Sequence, residues 1–100
     1  MHNIEPNSIV TLKLDSGEEI IAKFVVDHDS YVTVVKPLVI MMGPQGLAMG
    51  IWTATLDQDK DVNISKDHII TMGVTGSKVQ DEYTKATSSI AQPSKSKIIT

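Results

Sequence analysis

Ile9-Val10-Thr11-Leu12-Lys13-Leu14-Asp15-Ser16-Gly17 opens the stretch, running on to Val34, that decides how this chain folds. Val10, Leu12 and Leu14 fall on one face, and Thr11 and Lys13 on the other, the period of two that marks a half-buried strand. Gly17 supplies the positive φ that a short hairpin turn needs after Asp15-Ser16. Glu19 to Val26 resumes the alternation, with Ile20, Ala22, Phe24 and Val26 opposed to Glu19, Ile21, Lys23 and Val25. Its second face is partly apolar too, which predicts cover on both sides, from a helix of the same chain or from a neighbouring subunit. After the polar turn Asp27-His28-Asp29-Ser30, Tyr31 to Val35 is rich in β-branched residues and reads as a third strand.

Outward from this unit, Pro37 cannot donate to a strand ladder and predicts an edge or a bend. Leu38 to Met42 and Leu47 to Leu56 read as the arms of a hairpin closed by Gly43-Pro44-Gln45-Gly46. Asp57 to Asp61 is a polar turn, Val62 to Ile64 a brief strand, Ser65-Lys66-Asp67 a connector, and His68 to Val74 a last strand. From residue 77 the period changes. Val79, Tyr83, Ala86 and Ile90 form one stripe of an amphipathic helix that Gln92-Pro93 ends. The expected division is an N-terminal arm (1–8), a barrel (9–75), a C-terminal helix (76–91) and a flexible tail (92–100). Many short strands with one terminal helix suggest a small, strongly bent barrel, because curling shut removes exposed strand edges.

One hundred residues with 41% hydrophobic content suffice for one small core. Aromatics are few (Phe24, Tyr31, Trp52 and Tyr83), so aliphatic and methionine side chains must fill it. Such small domains often bury further surface against a partner. The absence of cysteine excludes disulfides and thiolate metal sites and suits a reducing cytoplasm. Residues 1–8 hold no apolar core of a secretory signal. The charge-free run from Pro37 to Leu56 is broken by its glycine-proline centre into flanks too short to span a bilayer. The net charge of −3 hides an asymmetry: five Lys against ten acids over residues 1–76, then four Lys against two acids. All nine basic residues are Lys, and the missing Arg fork counts against tight nucleic-acid binding.

Strand, Asp-Ser-Gly turn, strand, Asp-containing turn and strand, as laid out here, resembles the first motif of the Sm and Sm-like proteins. Leu12-Lys13-Leu14-Asp15-Ser16-Gly17 is similar to its strand and glycine turn. Ala22 falls where the family usually has glycine, and Phe24 where it has a core leucine. Asp27 resembles the motif aspartate, with Val32 and Val34 similar to the apolar pair that follows. Ile64 to Ile70 is similar to the second motif, in which a short connector joins the last two strands. The likeness spans roughly residues 9 to 74. In style it is closest to the divergent Sm-like proteins of phages, with a long hairpin before the second motif and a helix after it.

The resemblance implies a mainly β, five-stranded Sm-like (SH3-type) barrel, closed between subunits into a homo-oligomeric ring of about five to seven copies by edge pairing of the last two strands. It implies a non-enzymatic protein of the host cytoplasm, with single-stranded RNA as a weak ligand and Asp27, Tyr31, Ser65, Lys66 and Asp67 as the residues to contact it. Two departures weaken that ligand set. Tyr31 stands where the family has a base-contacting asparagine, and Ser65-Lys66 where it has Arg-Gly. An oligomeric adaptor barrel for a protein or peptide is the alternative.

Each candidate has an ordinary reading beside the functional one. Tyr31 can stack on a base, or merely cover a barrel rim with its hydroxyl in water. Lys66 can meet a phosphate, or be a solvated connector residue beside Asp67. Asp57, Asp59 and Asp61 share the one-three-five spacing of a calcium loop, but Val62 and His68 replace its glycine and its bidentate glutamate, so a solvated turn is expected. Asp27-His28-Asp29 has metal-ligand residue types without a second cluster, and reads as a polar turn. Glu18 and Glu19 point to opposite faces, so they form no catalytic pair. Met41, Met42 and Met49 suit packing or an adaptable surface. No nucleophile elbow or phosphate-cradling glycine loop is present, and no cofactor or metal is expected.

Overall fold

The computed structural model describes residues 4–90, and the side chains of Ser89 and Ile90 are left out of the description. The expected tail (92–100), and part of the expected arm, lie outside the described residues. Six strands form one antiparallel sheet: β1 (Ile9–Leu14), β2 (Glu19–Asp27), β3 (Tyr31–Gly43), β4 (Gly46–Ile51), β5 (Asp61–Ser65) and β6 (Ile69–Val74). A 3-10 turn (Lys66–His68) joins β5 to β6, and one helix, α1 (Ser77–Ile90), follows. The sheet order is β4-β3-β2-β1-β6, with β5 pairing the first half of β3.

The alternation in β1 is matched by its burial: Val10, Leu12 and Leu14 are buried, and the residues between them half-buried. Gly17 adopts φ 98°, and the turn closes with the Gly17 amide donating to the Leu14 carbonyl at 2.9 Å. Val10, Leu12, Leu14, Ile20, Ala22, Phe24, Val32, Val34 and Ile64 pack into one cluster on the inner face. Ile69 and Met72 of β6 also pack there. Residues from both ends of the sheet thus meet in one core, so the sheet is strongly curved. Each fully buried aliphatic side chain in it contributes about 1.5–3 kcal/mol.

The two apolar faces of β2 predicted cover on both sides, and α1 supplies it. Ile21, Leu38 and Tyr83 form a second buried cluster on the outer face, flanked by Val79 and Ala86 of the helix stripe. Ile90, the fourth residue of that stripe, lies where side chains are not described. Val26 departs from the pattern and is 41% exposed. A register shift between Phe24 and Val26 leaves Val25 as an extra residue, and such a bulge turns the following side chain away from its expected face.

Two expectations are corrected. Tyr31–Val35 and Leu38–Met42 are not separate strands but one 13-residue strand, β3. Pro37 lies inside it, fully buried, where β3 changes neighbour: Tyr31 to Val35 pair with β5, and Leu38 to Gly43 pair with β4. A residue with no N–H to donate costs little at a point where no partner strand needs that donor. Lys36 before it takes up the bend with φ 55°.

The second correction concerns closure. Among the described residues there are six strands rather than five, and the sheet is open: β5 pairs with β3, β6 pairs with β1, and neither pairs with the other. The 3-10 turn between them is flanked by extended residues, Ser65 (ψ 132°) and Ile69 (ψ 116°), so the chain bends across to β1 rather than reversing into a hairpin. Mainly β, antiparallel and small with one C-terminal helix is the architecture that stands. Among the described residues, no helix is long and apolar enough to cross a membrane.

Candidate functional site

The five residues that the sequence singled out come from two distant segments, and the β3–β5 ladder brings both to one end of the sheet. Asp27 ends β2, Tyr31 starts β3, Ser65 ends β5, and Lys66 and Asp67 begin the 3-10 turn. Tyr31 and Ser65 are partners in the ladder register, and the Lys66 amide donates to the Ser30 carbonyl at 2.9 Å.

Three side chains then settle the chemistry of this rim. Lys66 Nζ donates to Asp27 Oδ1 at 2.7 Å, with both side chains about one-third exposed or less (28% and 33%). Its ammonium is therefore already answered by a carboxylate. Ser65 Oγ accepts from the Asp67 amide at 3.2 Å, capping the turn. That contact orders the turn and ties Asp67 to the cluster through its backbone.

The His28 ring lies flat against Tyr31, with centroids 4.2 Å apart and planes 22° from parallel. The sequence offers His28 as a metal-ligand type within a polar turn and gives it no stacking partner. The signal was available: the first and last residues of a four-residue turn, three positions apart, meet when the turn closes, and the His28 amide donates to the Tyr31 carbonyl at 2.9 Å. Both residues are half-buried, so the stack is partly open to solvent. With Asp27, Asp29 and Asp67 against Lys66, carboxylates outnumber ammonium groups at the rim. Such a surface can hold a flat apolar group by stacking, but it attracts phosphate weakly.

The aspartates of the predicted polar turn serve local structure. Asp57 Oδ1 accepts from the Asp59 amide at 2.9 Å, and Asp59 Oδ1 pairs with Lys36 Nζ at 2.9 Å. Among the described residues, no three metal-ligating side chains gather.

At the far end of the 3-10 turn, His68 Nδ1 lies 3.0 Å from Asp15 Oδ2. The hydrogen bond to Asp15, and then the charge of Asp15, raise the His68 pKa above its ordinary value, with Asp67 adding to the effect. A raised folded-state pKa contributes stability that is fully present below the unfolded value of about 6.5 and lost as pH rises through the folded value. In an NMR titration the His68 ring is expected to titrate above its ordinary value of about 6.5 and to shift back towards it in Asp15→Asn; an unshifted ring in the unmodified chain rejects the contact.

No protein-family model matches the chain, and no curated protein matches it.

Proposed function

We propose that this chain is a non-enzymatic, Sm-like subunit that assembles into a homo-oligomeric ring in the cytoplasm and binds single-stranded RNA weakly at the rim around Tyr31. The observation that carries the reading is the pair of strand edges left over in the sheet. Beyond their pairing with β3 and β1, β5 and β6 each keep one edge without a described partner strand, and they are consecutive in the chain. Antiparallel addition of β5 from one copy to β6 of the next satisfies both edges at once. Ile70 and Val74 of β6 are 66% and 62% exposed, apolar surface that such a contact covers. The non-enzymatic part rests on the sequence, which offers no nucleophile elbow and no phosphate-cradling loop.

The His28–Tyr31 stack supports the RNA part, because stacking needs no particular base. The Lys66–Asp27 pair limits affinity and also favours the second reading, an adaptor ring for a protein or peptide. A titration with U-rich and A-rich oligonucleotides at several salt concentrations separates the two. On the RNA reading, Asp27→Asn releases Lys66, tightening binding several-fold and steepening its loss with salt, whereas Lys66→Ala with Tyr31→Ala abolishes it. No binding at low salt by either the unmodified chain or Asp27→Asn rejects RNA and leaves the adaptor.

A further inference from the structure

β4 stands at one end of the sheet and, among the described residues, pairs only with β3, so alternate amides and carbonyls of Gly46–Ile51 point outward without a ladder partner. On the outer face the β3–β4 register sets Leu38 beside Ile51, Ile40 beside Met49, and Met42 beside Leu47. Leu38, Ile40, Met49 and Ile51 pack in the cluster that α1 covers. The apolar stripe then runs on past the helix, where Met42 is 77% exposed and Leu47 58% exposed. Between this strand and the flank of α1 lies a groove, with Leu47, Ala48 and Met49 on one wall and Val79 and Ala86 on the other. Edge strands are commonly guarded by a charge, a proline or a bulge. Gly46–Ile51 has none of the three: it holds no charged residue and no proline, and it runs in unbroken register against β3.

We propose that this edge takes the same strand of a second copy, β4 against β4, in an antiparallel two-fold pair centred on Ala48. Three observations favour a second copy over another occupant. First, from Pro37 to Leu56 the chain carries no charged side chain, so a two-fold axis through β4 brings no like charges together. Second, the charges beside the groove cancel. Lys78 and Lys85 are balanced by Asp81 and Glu82, and Lys85 Nζ stands 3.9 Å from Glu82. A strongly basic or acidic peptide meets as much repulsion as attraction there, whereas an uncharged strand meets neither. Third, Leu47 and Ala48 are the exposed residues of β4. A ladder centred on Ala48 sets Leu47 opposite Met49 of the second copy on the outer face, with only glycine and alanine paired on the inner face. Such a contact is isologous, so it uses both edges and closes at two copies. A six-residue edge makes a small interface, so the pair forms at concentrations on the order of hundreds of micromolar rather than at micromolar. It is separate from the proposed assembly at β5 and β6, and either can fail alone.

The test is amide hydrogen exchange on the full chain at about 10 μM and about 1 mM, which bracket such an affinity. The outward amides of Gly46–Ile51 are expected to exchange several-fold more slowly at the higher concentration, while β1 is unchanged. Leu47→Lys, at a mostly exposed position, is expected to remove the difference and leave β1 protected. Ile70→Lys with Val74→Lys is expected to leave the difference in place, which separates this contact from one at β6. Equal rates at the two concentrations overturn the proposal, because protection that ignores concentration comes from the same chain. A difference that survives Leu47→Lys, or that vanishes in the β6 variant, also overturns it. The register is read by oxidation of Ala48→Cys, since the unmodified chain has no cysteine. Across the axis the two copies of residue 48 lie about 5 Å apart, within reach of a disulfide, and those of residue 45 about 20 Å apart, beyond it. At about 1 mM, Ala48→Cys is expected to cross-link many times faster than Gln45→Cys under the same oxidant, and equal rates overturn the two-fold pairing.

Discussion

Replacing Tyr83 with alanine is expected to lower the unfolding free energy by about 3–5 kcal/mol, the largest effect of any single substitution outside the inner core. Tyr83 is 1% exposed and joins Ile21 and Leu38 in the outer cluster, so its removal opens a cavity where the helix meets the sheet. It also removes a hydrogen bond with a particular task. The hydroxyl donates to the Lys36 carbonyl at 2.6 Å, and Lys36 holds a left-handed backbone conformation that costs a non-glycine residue about 1–2 kcal/mol. Tyr83 therefore fastens α1 to the bend at which β3 changes partner. Tyr83→Phe keeps the ring and strands that carbonyl, and is expected to cost about 1 kcal/mol or somewhat more. Urea titrations of the three chains check both values. A loss under about 1 kcal/mol for Tyr83→Ala contradicts the packing described for α1. Burial also pushes the phenol well above its ordinary range. In the unfolded chain it ionises near pH 10, so the part of stability tied to the neutral phenol falls as pH rises beyond that value.

The second large effect concerns assembly. Ile70→Lys with Val74→Lys is expected to convert the proposed oligomer to monomers without unfolding the subunit. Both side chains are mostly exposed in the isolated chain, so their replacement costs the fold little, within about 0.5 kcal/mol each. In an interface made by β6, the same charges are desolvated without partners, and charged edges are a common means of preventing strand addition. Light scattering and circular dichroism on the same sample are the measurements. A mass unchanged by the double variant sinks the assignment of β6 to the interface, whatever the mass of the unmodified chain.

How much was legible in the sequence depended on whether a signal was local. The alternation in Ile9–Leu14 and Glu19–Val26, and the stripe through Val79, Tyr83 and Ala86, are consequences of burial repeated at fixed spacing, so strands and helix were readable. The need for cover on the second face of β2 was readable for the same reason, and Tyr83 meets it. Lys36-Pro37 misled, because proline reads as a break, whereas here it falls at the one point of β3 where a partner strand ends and another has not begun. The bulge at Val25 was illegible, since it depends on how β2 registers against β3. The rim was legible only through a family likeness: Asp27 and Lys66 meet because Tyr31 and Ser65 are in register, and nothing in the spacing of either segment reveals that. Their ion pair, which engages the Lys66 ammonium at the rim, needed the structure. Closure failed as an expectation because bending a sheet and sealing it are different acts. The core explains the bend, while β5 and β6 pair with β3 and β1 and not with each other.

The central claim, that the edges of β5 and β6 join copies of this chain, is tested most directly by the mass of the unmodified protein in sedimentation equilibrium at micromolar concentration. The account predicts a single species at a whole multiple of the 10.9 kDa chain, well above a dimer and insensitive to salt. A species at 10.9 kDa across that concentration range contradicts it.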